Sequence, residues 1–298
     1  MRQLICVLFS LLLVGCVPFM ERQRIIIDSK KIEDFNALPK TTENFPTVTI
    51  WIHGTCLLSD KLFNKLCLTP KGFVPVSEIK DKFQVHKAAK FLSKQDPQRF
   101  NFEHFYAFGW SGKLSFAERK KAAQDLYSHI RELTKNYKKK YRRKPKIRLI
   151  THSHGGNVAL NLAHICNPRD RIKLEELILL GCPIQHETVH KAKHPFFKKI
   201  YSFFSTLDTL QIIDPQGLQN WNTTELPKNI HYKRCLLSGR CFPLDPKIKQ
   251  IQMKMNGRGI LHVEFLLTRF LSLLPVLLHE IDKLHPNDVR IKLAHVKK

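Results

Sequence analysis

From residue 46 onward the chain alternates short apolar runs with longer amphipathic ones. Residues 47–52, TVTIWI, form a β-branched apolar run between Pro46 and Gly54, the pattern of a strand buried on both faces. Residues 102–109, FEHFYAFG, form a second. Over 117–137 the apolar positions Ala122, Leu126, Ile130 and Leu133 recur at helical spacing. A strand is predicted over 147–151 (IRLIT), a helix near 156–165, a strand over 176–181 (ELILLG) and another near 200–206 (IYSFFST). Residues 248–255, IKQIQMKM, are more charged and predict a strand at the sheet edge, and a final helix is expected from about 263 to 281. Strands alternating with helices predict an α/β class, a mostly parallel sheet covered by helices on both faces. Residues 55–101 and 214–245, rich in Pro, Asn and Lys, break the alternation and are expected to be insertions that shape or cover a site.

The amino terminus follows a different pattern. Residues 4–20 carry no charged side chain, Arg2 precedes them, and Glu21, Arg22 and Arg24 follow. As a helix this run would reach about 26 Å, short of the roughly 30 Å hydrocarbon core of a bilayer. A basic start, an apolar stretch and small residues at its end read as a secretory signal peptide. The end of that stretch, Leu13-Val14-Gly15-Cys16, resembles the lipobox of bacterial lipoproteins, in which the cysteine is lipidated and becomes the mature first residue. The resemblance implies a signal peptide over 1–15, lipid on Cys16, a linker over 16–45 and a main domain over 46–298. It also implies an exported, membrane-anchored lipoprotein of the cell envelope. A plain cleaved signal and a retained anchor stay open.

Export changes what the cysteines mean. Leaving aside Cys6 and Cys16, the chain holds Cys56, Cys67, Cys166, Cys182, Cys235 and Cys241, enough for three disulfides in an oxidising compartment. The near pairs Cys235/Cys241 and Cys56/Cys67 are the first expectations. No pair has the short spacing typical of zinc ligands, so no metal is expected.

The candidate chemistry lies in residues 147–163, IRLITHSHGGNVALNLA. A hydrophobic strand runs through Thr151-His152-Ser153-His154-Gly155-Gly156 straight into an amphipathic helix. Gly155 and Gly156 permit a sharp turn that lifts Ser153 above the strand end, with the helix amino terminus beneath it. This segment resembles the nucleophile elbow of the α/β-hydrolase superfamily, Gly-x-Ser-x-Gly, with Thr151 in place of the first glycine. By motif order the resemblance covers about residues 47–281, and it implies a lipase- or esterase-like serine hydrolase with Ser153 as nucleophile.

Two further matches extend it. Trp51-Ile52-His53-Gly54-Thr55 ends the earlier buried strand and is similar to the superfamily's His-Gly loop. That implies an oxyanion hole from the backbone N–H groups of Thr55 or Cys56 together with that of His154. The side chain of His53 itself is expected to pack the strand end. In the superfamily the acid and the histidine follow the nucleophile in that order. Asp208 follows IYSFFST directly, and His262 stands in Gly259-Ile260-Leu261-His262, between the last strand and the last helix. His262 is therefore the expected base and Asp208 the expected acid, with Asp214 in Ile212-Ile213-Asp214-Pro215 as the alternative. The resemblance implies cleavage of a carboxylic ester, with a lipid ester among the candidates, through an acyl-enzyme and without a metal or organic cofactor. An acyltransferase using the same triad and a non-catalytic binding lipoprotein are the alternatives.

Composition narrows the class and charge widens the list of partners. The chain has 298 residues, 43% apolar and 25% charged, which excludes wholesale disorder. Its net charge is +25, which raises nucleic acid, an anionic membrane surface or acidic ligands as partners. The densest stretch, KNYKKKYRRKPK over 135–146, holds eight basic residues in twelve positions, interleaved with Tyr137 and Tyr141. It enters the strand that leads to Ser153 from its amino-terminal end, whereas open α/β sheets bind ligands beyond the carboxyl ends of their strands. An anionic membrane surface is one partner for it and a solvated, self-repelling loop is the alternative; no nucleic acid is expected. The substrate expected at the site is a small-molecule or lipid ester.

Overall fold

The computed structural model describes residues 24–25, 47–55, 69–212, 238–255, 257–284 and 290–291. The expected signal peptide, Cys16, most of the expected linker, Cys56, Cys67, Asp214 and Cys235 lie outside these residues, and with them the expected Cys56/Cys67 pair and one half of the expected Cys235/Cys241 pair. Cys166 and Cys182 are free thiols. Among the described residues no helix is long and apolar enough to cross a membrane.

Along the chain the strands are β1 (Arg24–Ile25), β2 (Thr47–Ile52), β3 (Gly72–Pro75), β4 (Phe105–Gly109), β5 (Lys146–His152), β6 (Leu174–Leu180), β7 (Phe197–Phe204), β8 (Ile248–Gln252), β9 (Lys254–Met255), β10 (Arg258–Gly259) and β11 (Arg290–Ile291). The helices are α1 (Gln84–Gln95), α2 (Phe116–Tyr141), α3 (Gly155–Ile165), α4 (His186–Val189), α5 (Thr268–Leu271) and α6 (Leu274–Asp282). Nine strands form one sheet in the order β11-β1-β8-β7-β6-β5-β2-β4-β3, and β9 and β10 form a separate hairpin. Within the large sheet only β3 runs antiparallel to its neighbour. The fold is thus the mostly parallel α/β sheet expected, with helices on both faces.

Period-two alternation divides the core into two layers. Ile178 and Leu180 of β6, with Tyr201 and Phe203 of β7, pack against Val85, Ala88, Ala89 and Leu92 of α1 and against Leu274, Leu277 and Leu278 of α6. Leu177 and Leu179, with Ile200, pack on the other face against Leu126 and Ile130 of α2 and Val158 and Leu162 of α3. The central strands are buried on both sides, which is why they read as continuous apolar runs rather than alternating ones.

Several expectations need correction. Residues 72–95 of the expected insertion at 55–101 are structural: β3 closes the sheet edge on β4, and α1 supplies one face of the core. The 248–255 run is not an edge strand. β8 bonds to β7 on one side and to β1 on the other, where Ile25 pairs with Ile251, so two residues of the expected linker join the sheet. Its polar Gln250 is tolerated inside because the amide bonds both backbone groups of Phe242, at 2.7 and 3.1 Å. The single helix expected at 263–281 is three pieces: a 3-10 turn at His262–Leu266, then α5, then α6. Leu267 is extended at ψ 146°, and Pro275, which lacks an N–H, stands in the first turn of α6.

Candidate active site

The elbow is built at the carboxyl end of β5. Ser153 has φ +52°, in the left-handed region that non-glycine residues rarely occupy, which costs on the order of 1–3 kcal/mol. Surrounding bonds hold it there: its N–H donates to the Leu180 carbonyl at 2.9 Å, and its carbonyl accepts from Gly156 at 3.0 Å. The serine itself therefore takes the unusual angle, and the two glycines serve close approach instead. A Cβ on Gly155 would lie 2.5 Å from the His53 carbonyl oxygen, and one on Gly156 would lie 2.4 Å from Cys182 Sγ. Gly54 obeys the same rule, since its Cβ would fall 2.6 Å from that of Ser153. Thr151 fits the first motif position because its hydroxyl, fully buried, donates to the Ile178 carbonyl at 3.3 Å.

The loops after β7 and β10 bring Asp208 and His262 together. His262 Nδ1 donates to Asp208 Oδ2 at 2.8 Å, and the aspartate side chain is fully buried. The other carboxylate oxygen accepts from the Gln211 N–H at 2.9 Å. A carboxylate can only accept, so the proton of a neutral His262 sits on Nδ1 and its Nε2 carries the lone pair. Gly181, at φ +58°, makes room for this pair: a Cβ there would lie 3.0 Å from Asp208 Oδ2 and 3.2 Å from His262 Nδ1. Gly181 directly follows Leu180, the residue whose carbonyl holds Ser153.

Sequence reasoning missed the residues that brace these loops. Ser205 Oγ accepts from the N–H groups of Leu207 at 3.2 Å and Ile260 at 2.9 Å, so one hydroxyl joins the Asp208 loop to the His262 loop. Arg240 donates to the carbonyls of Ser205 and Asp208, each at 2.9 Å, and of Thr206 at 3.2 Å. The Arg240 contacts span more than thirty residues, and no local pattern announces them. Ser205 stands three residues before Asp208, where its apolar surroundings conceal a polar role.

The His-Gly loop is held from behind. His53 Nδ1 donates to the Gly54 carbonyl at 2.7 Å, Nε2 accepts from the Trp110 N–H at 3.1 Å, and the Trp110 indole donates to the His53 carbonyl at 2.8 Å. Burial pushes the His53 pKa down to about 4, against the pull of these backbone bonds. Trp110 is thus an anchor of this loop. Thr55 follows with a buried hydroxyl that has no hydrogen-bond partner among the described residues. His154 caps α3 and receives Asn157 Nδ2 on its Nδ1 at 3.4 Å. Its pKa is lowered to about 3, first by burial and then by the Arg119 and His262 charges. The four phenylalanines Phe196, Phe197, Phe203 and Phe204 are buried core residues.

The basic stretch lies at the other end of β5. Its first part forms the last turns of α2, where Tyr137 is buried and its hydroxyl bonds His104 Nδ1 at 2.7 Å. Tyr141 packs edge-on against the same His104 ring, so the interleaved tyrosines are turned to the protein. Among the described residues no group of three or more His, Cys, Asp or Glu is arranged to hold a metal ion.

No family model matches this chain, and no curated protein matches it significantly. The chain is similar in fold to solved structures at low identity. Lipase B of Aspergillus fumigatus is 11% identical over 94% of this chain and 67% of its own, with a TM-score of 0.44. An uncharacterised protein from Bacillus cereus is 13% identical over the same shares, 94% and 67%, with a TM-score of 0.39. Phospholipase PlaB from Legionella pneumophila, solved in complex with thio-NAD, is 15% identical over 46% of this chain and 25% of its own, with a TM-score of 0.30. The matched part of this chain therefore corresponds to a quarter of PlaB. Likenesses this distant carry no argument about the site, and its chemistry rests on the residues described above.

Proposed function

We propose that this chain is a serine hydrolase that cleaves a carboxylic ester, with Ser153 as nucleophile, His262 as base and Asp208 as the acid that orients it. The observation that carries the reading is the 2.8 Å bond between His262 Nδ1 and the buried Asp208 carboxylate, beside a serine held at φ +52° at a strand end. Ser153 Oγ attacks the carbonyl carbon while its proton passes to His262 Nε2, and Asp208 stabilises the imidazolium that forms. The oxyanion is met by the N–H of His154 and that of Thr55 or Cys56, each such donor typically contributing about 2.7 to 4 kcal/mol. The unpartnered Thr55 hydroxyl is a further donor within the same loop. Collapse returns the His262 proton to the leaving alkoxide, and water, deprotonated by the same nitrogen, releases the acid.

An apolar ester fits the surroundings best. The exposed large apolar residues of the described chain are Leu207, Leu210, Leu244, Leu261, Val263 and Leu267. All but Leu244 flank Asp208 or His262 in sequence, and such exposure at a hydrolytic centre suits an acyl chain or a lipid. The same reading has the mature protein exported and tethered through lipid on Cys16, on the strength of Leu13-Val14-Gly15-Cys16. Palmitate labelling that persists in Cys16→Ala removes the tether.

A fluorophosphonate probe tests the centre directly. Wild type is expected to label and Ser153→Ala to stay unlabelled, with hydrolysis of p-nitrophenyl esters rising with acyl length before it falls. A folded wild-type protein that resists the probe sinks the proposal.

A further inference from the structure

His152, immediately before Ser153, takes no part in the proton relay proposed above, yet it touches each element around it. Its Nε2 donates to the backbone carbonyl of His262 at 3.0 Å, and the two rings lie 4.5 Å apart, tilted by 50°. Its other nitrogen faces the His-Gly loop, where a Cβ on Gly54 would approach to 3.3 Å. A carbonyl only accepts, so the Nε2 of His152 carries the proton. The ring is neutral as well as buried: desolvation, and after it the neighbouring His262, push its pKa down to about 3.

The need for such a contact follows from how His262 is mounted. Its backbone belongs to a five-residue 3-10 turn that starts from the exposed Leu261, and such turns hydrogen-bond less well than an α-helix. Glu264 Oε2 accepts from the Leu261 N–H at 2.6 Å and Gln84 Nε2 donates to the Leu266 carbonyl at 2.6 Å, so both ends of the turn are braced, but neither bond reaches β5. Asp208 also comes from a third loop, so it does not link base to nucleophile. His152 does, because it stands on β5 one residue from Ser153.

We infer that His152 is a positioning residue whose Nε2–H bond ties the backbone of the base to the strand that carries the nucleophile. The catalytic consequence rests on the hydrolase reading; the tie itself does not. The residue type follows from the task. Lysine or arginine would place a fixed cation beside an imidazole that must become charged, and phenylalanine would fill the space without donating. Glutamine is a neutral substitute of similar length whose amide N–H can stand where the Nε2–H stands.

The test compares His152→Phe and His152→Gln, with Ser153→Ala as a reference, by p-nitrophenyl butyrate kinetics and by proton NMR of the His262 Nδ1–H that bonds Asp208. The Phe variant should lose about 5- to 10-fold in kcat, the scale of one hydrogen bond, with KM within about 2-fold. Its Nδ1–H resonance should broaden as the turn opens to solvent, and the Gln variant should recover both signals to within about 3-fold of wild type. A Phe variant with wild-type kcat and a sharp resonance overturns the inference, as does a folded Gln variant as impaired as Phe. If Ser153→Ala still hydrolyses ester, the hydrolase reading fails, and the resonance alone decides the tie. Should the Phe variant not fold, His152→Met, of similar length and without a donor, takes its place.

Discussion

At the amino-terminal ends of the central strands, Arg148 of β5 and Glu176 of β6 form a buried ion pair that Arg99 joins at 2.6 Å, with Tyr201 and Asp282 completing the group. At the carboxyl ends the buried histidines around Ser153 are His53, His152 and His154, bonded mostly to backbone atoms, with the half-buried His262 beside them. Burial acts on both sets and its outcome differs. Burial alone would raise the Glu176 pKa, but the Arg148 and Arg99 charges outweigh it and bring it down to about 2, so this group stays ionised. For His53, His152 and His154 desolvation is the leading cause and lowers the pKa, so they are driven neutral. A compensated buried charge serves the fold; neutral imidazoles brace the loops around Ser153 without placing a fixed charge beside His262.

If the two ends divide stability from chemistry in this way, single changes should separate them. Asp208→Asn keeps the shape but no longer enforces the Nδ1–H tautomer of His262, and kcat should fall by roughly 10³-fold or more with little change in melting temperature. Glu176→Ala strands Arg148 in the interior and should destabilise the fold by about 3 to 5 kcal/mol, while the protein that remains folded keeps its kcat. Urea melts and active-site-normalised rates on both variants read the two effects. An Asp208→Asn protein that loses more stability than Glu176→Ala would break the division.

How much of this was legible in the sequence depended on how local each cause is. β2, β5 and β6 were readable because strands buried on both faces need unbroken apolar runs. The order along the chain carried the expectation of Ser153, Asp208 and His262, and the structure brings the latter two into contact while Asp214 lies outside the described residues. Misreadings came where tertiary partners decide. Residues 72–95 look like an insertion because their polar positions conceal the stripe of Val85, Ala88, Ala89 and Leu92 that packs on the sheet. β8 looks like an edge because nothing nearby shows that Gln250 will find the backbone of Phe242. His152 was in plain view within the motif, but its partner is 110 residues away.

Acid should expose the carboxyl end before the other. In the unfolded chain the three histidines bind protons near pH 6.5, whereas in the fold His53 resists to about 4, and His152 and His154 to about 3. Below about pH 6.5 the unfolded state therefore takes up protons that the folded state refuses. The stability contributed by each neutral histidine is complete above that pH and is lost toward pH 3 to 4, at up to about 1.4 kcal/mol per pH unit. Urea midpoints measured from about pH 7 down to about pH 5 should fall, and His152→Gln should lessen the slope. A midpoint that holds steady across that range contradicts the neutral assignment.

A smaller effect is expected at Gly54. Its φ is unremarkable, so the cost of Gly54→Ala comes from a Cβ placed 2.6 Å from that of Ser153 and 3.0 Å from the His152 carbonyl oxygen. Overpacking of this kind costs about 1 to 3 kcal/mol. Because the displaced atom is the Cβ of Ser153, the proposed nucleophile, kcat should fall by about 10²-fold, the scale of an ångström of misplacement. Gly72→Ala is the control, since its added Cβ would meet nothing within 4 Å although its φ of +88° adds local strain; its kcat should match wild type.

The smallest effect on fold or rate should come from the most conspicuous feature of the sequence. Lys138, Lys139 and Lys140 end α2, where cations complement the helix dipole, and nearby a cleft of about 270 Å³ is lined by Lys144, Lys146, Arg171, Lys173 and Lys198. Replacing the three helix lysines by Gln should shift stability by about 0.5 kcal/mol or less and leave kcat/KM on a soluble ester within about 2-fold. Binding to phosphatidylglycerol vesicles should weaken by about 1 kcal/mol per lysine and fade with salt. Docking by this end would turn the strand ends that carry Ser153 and His262 away from the surface that holds it. Anionic vesicles should then recruit the protein without speeding hydrolysis of their own lipid. If they accelerate it, and the lysine variant binds them as well as wild type, membrane contact belongs to the other end, where Leu207, Leu261 and Val263 are exposed beside the site.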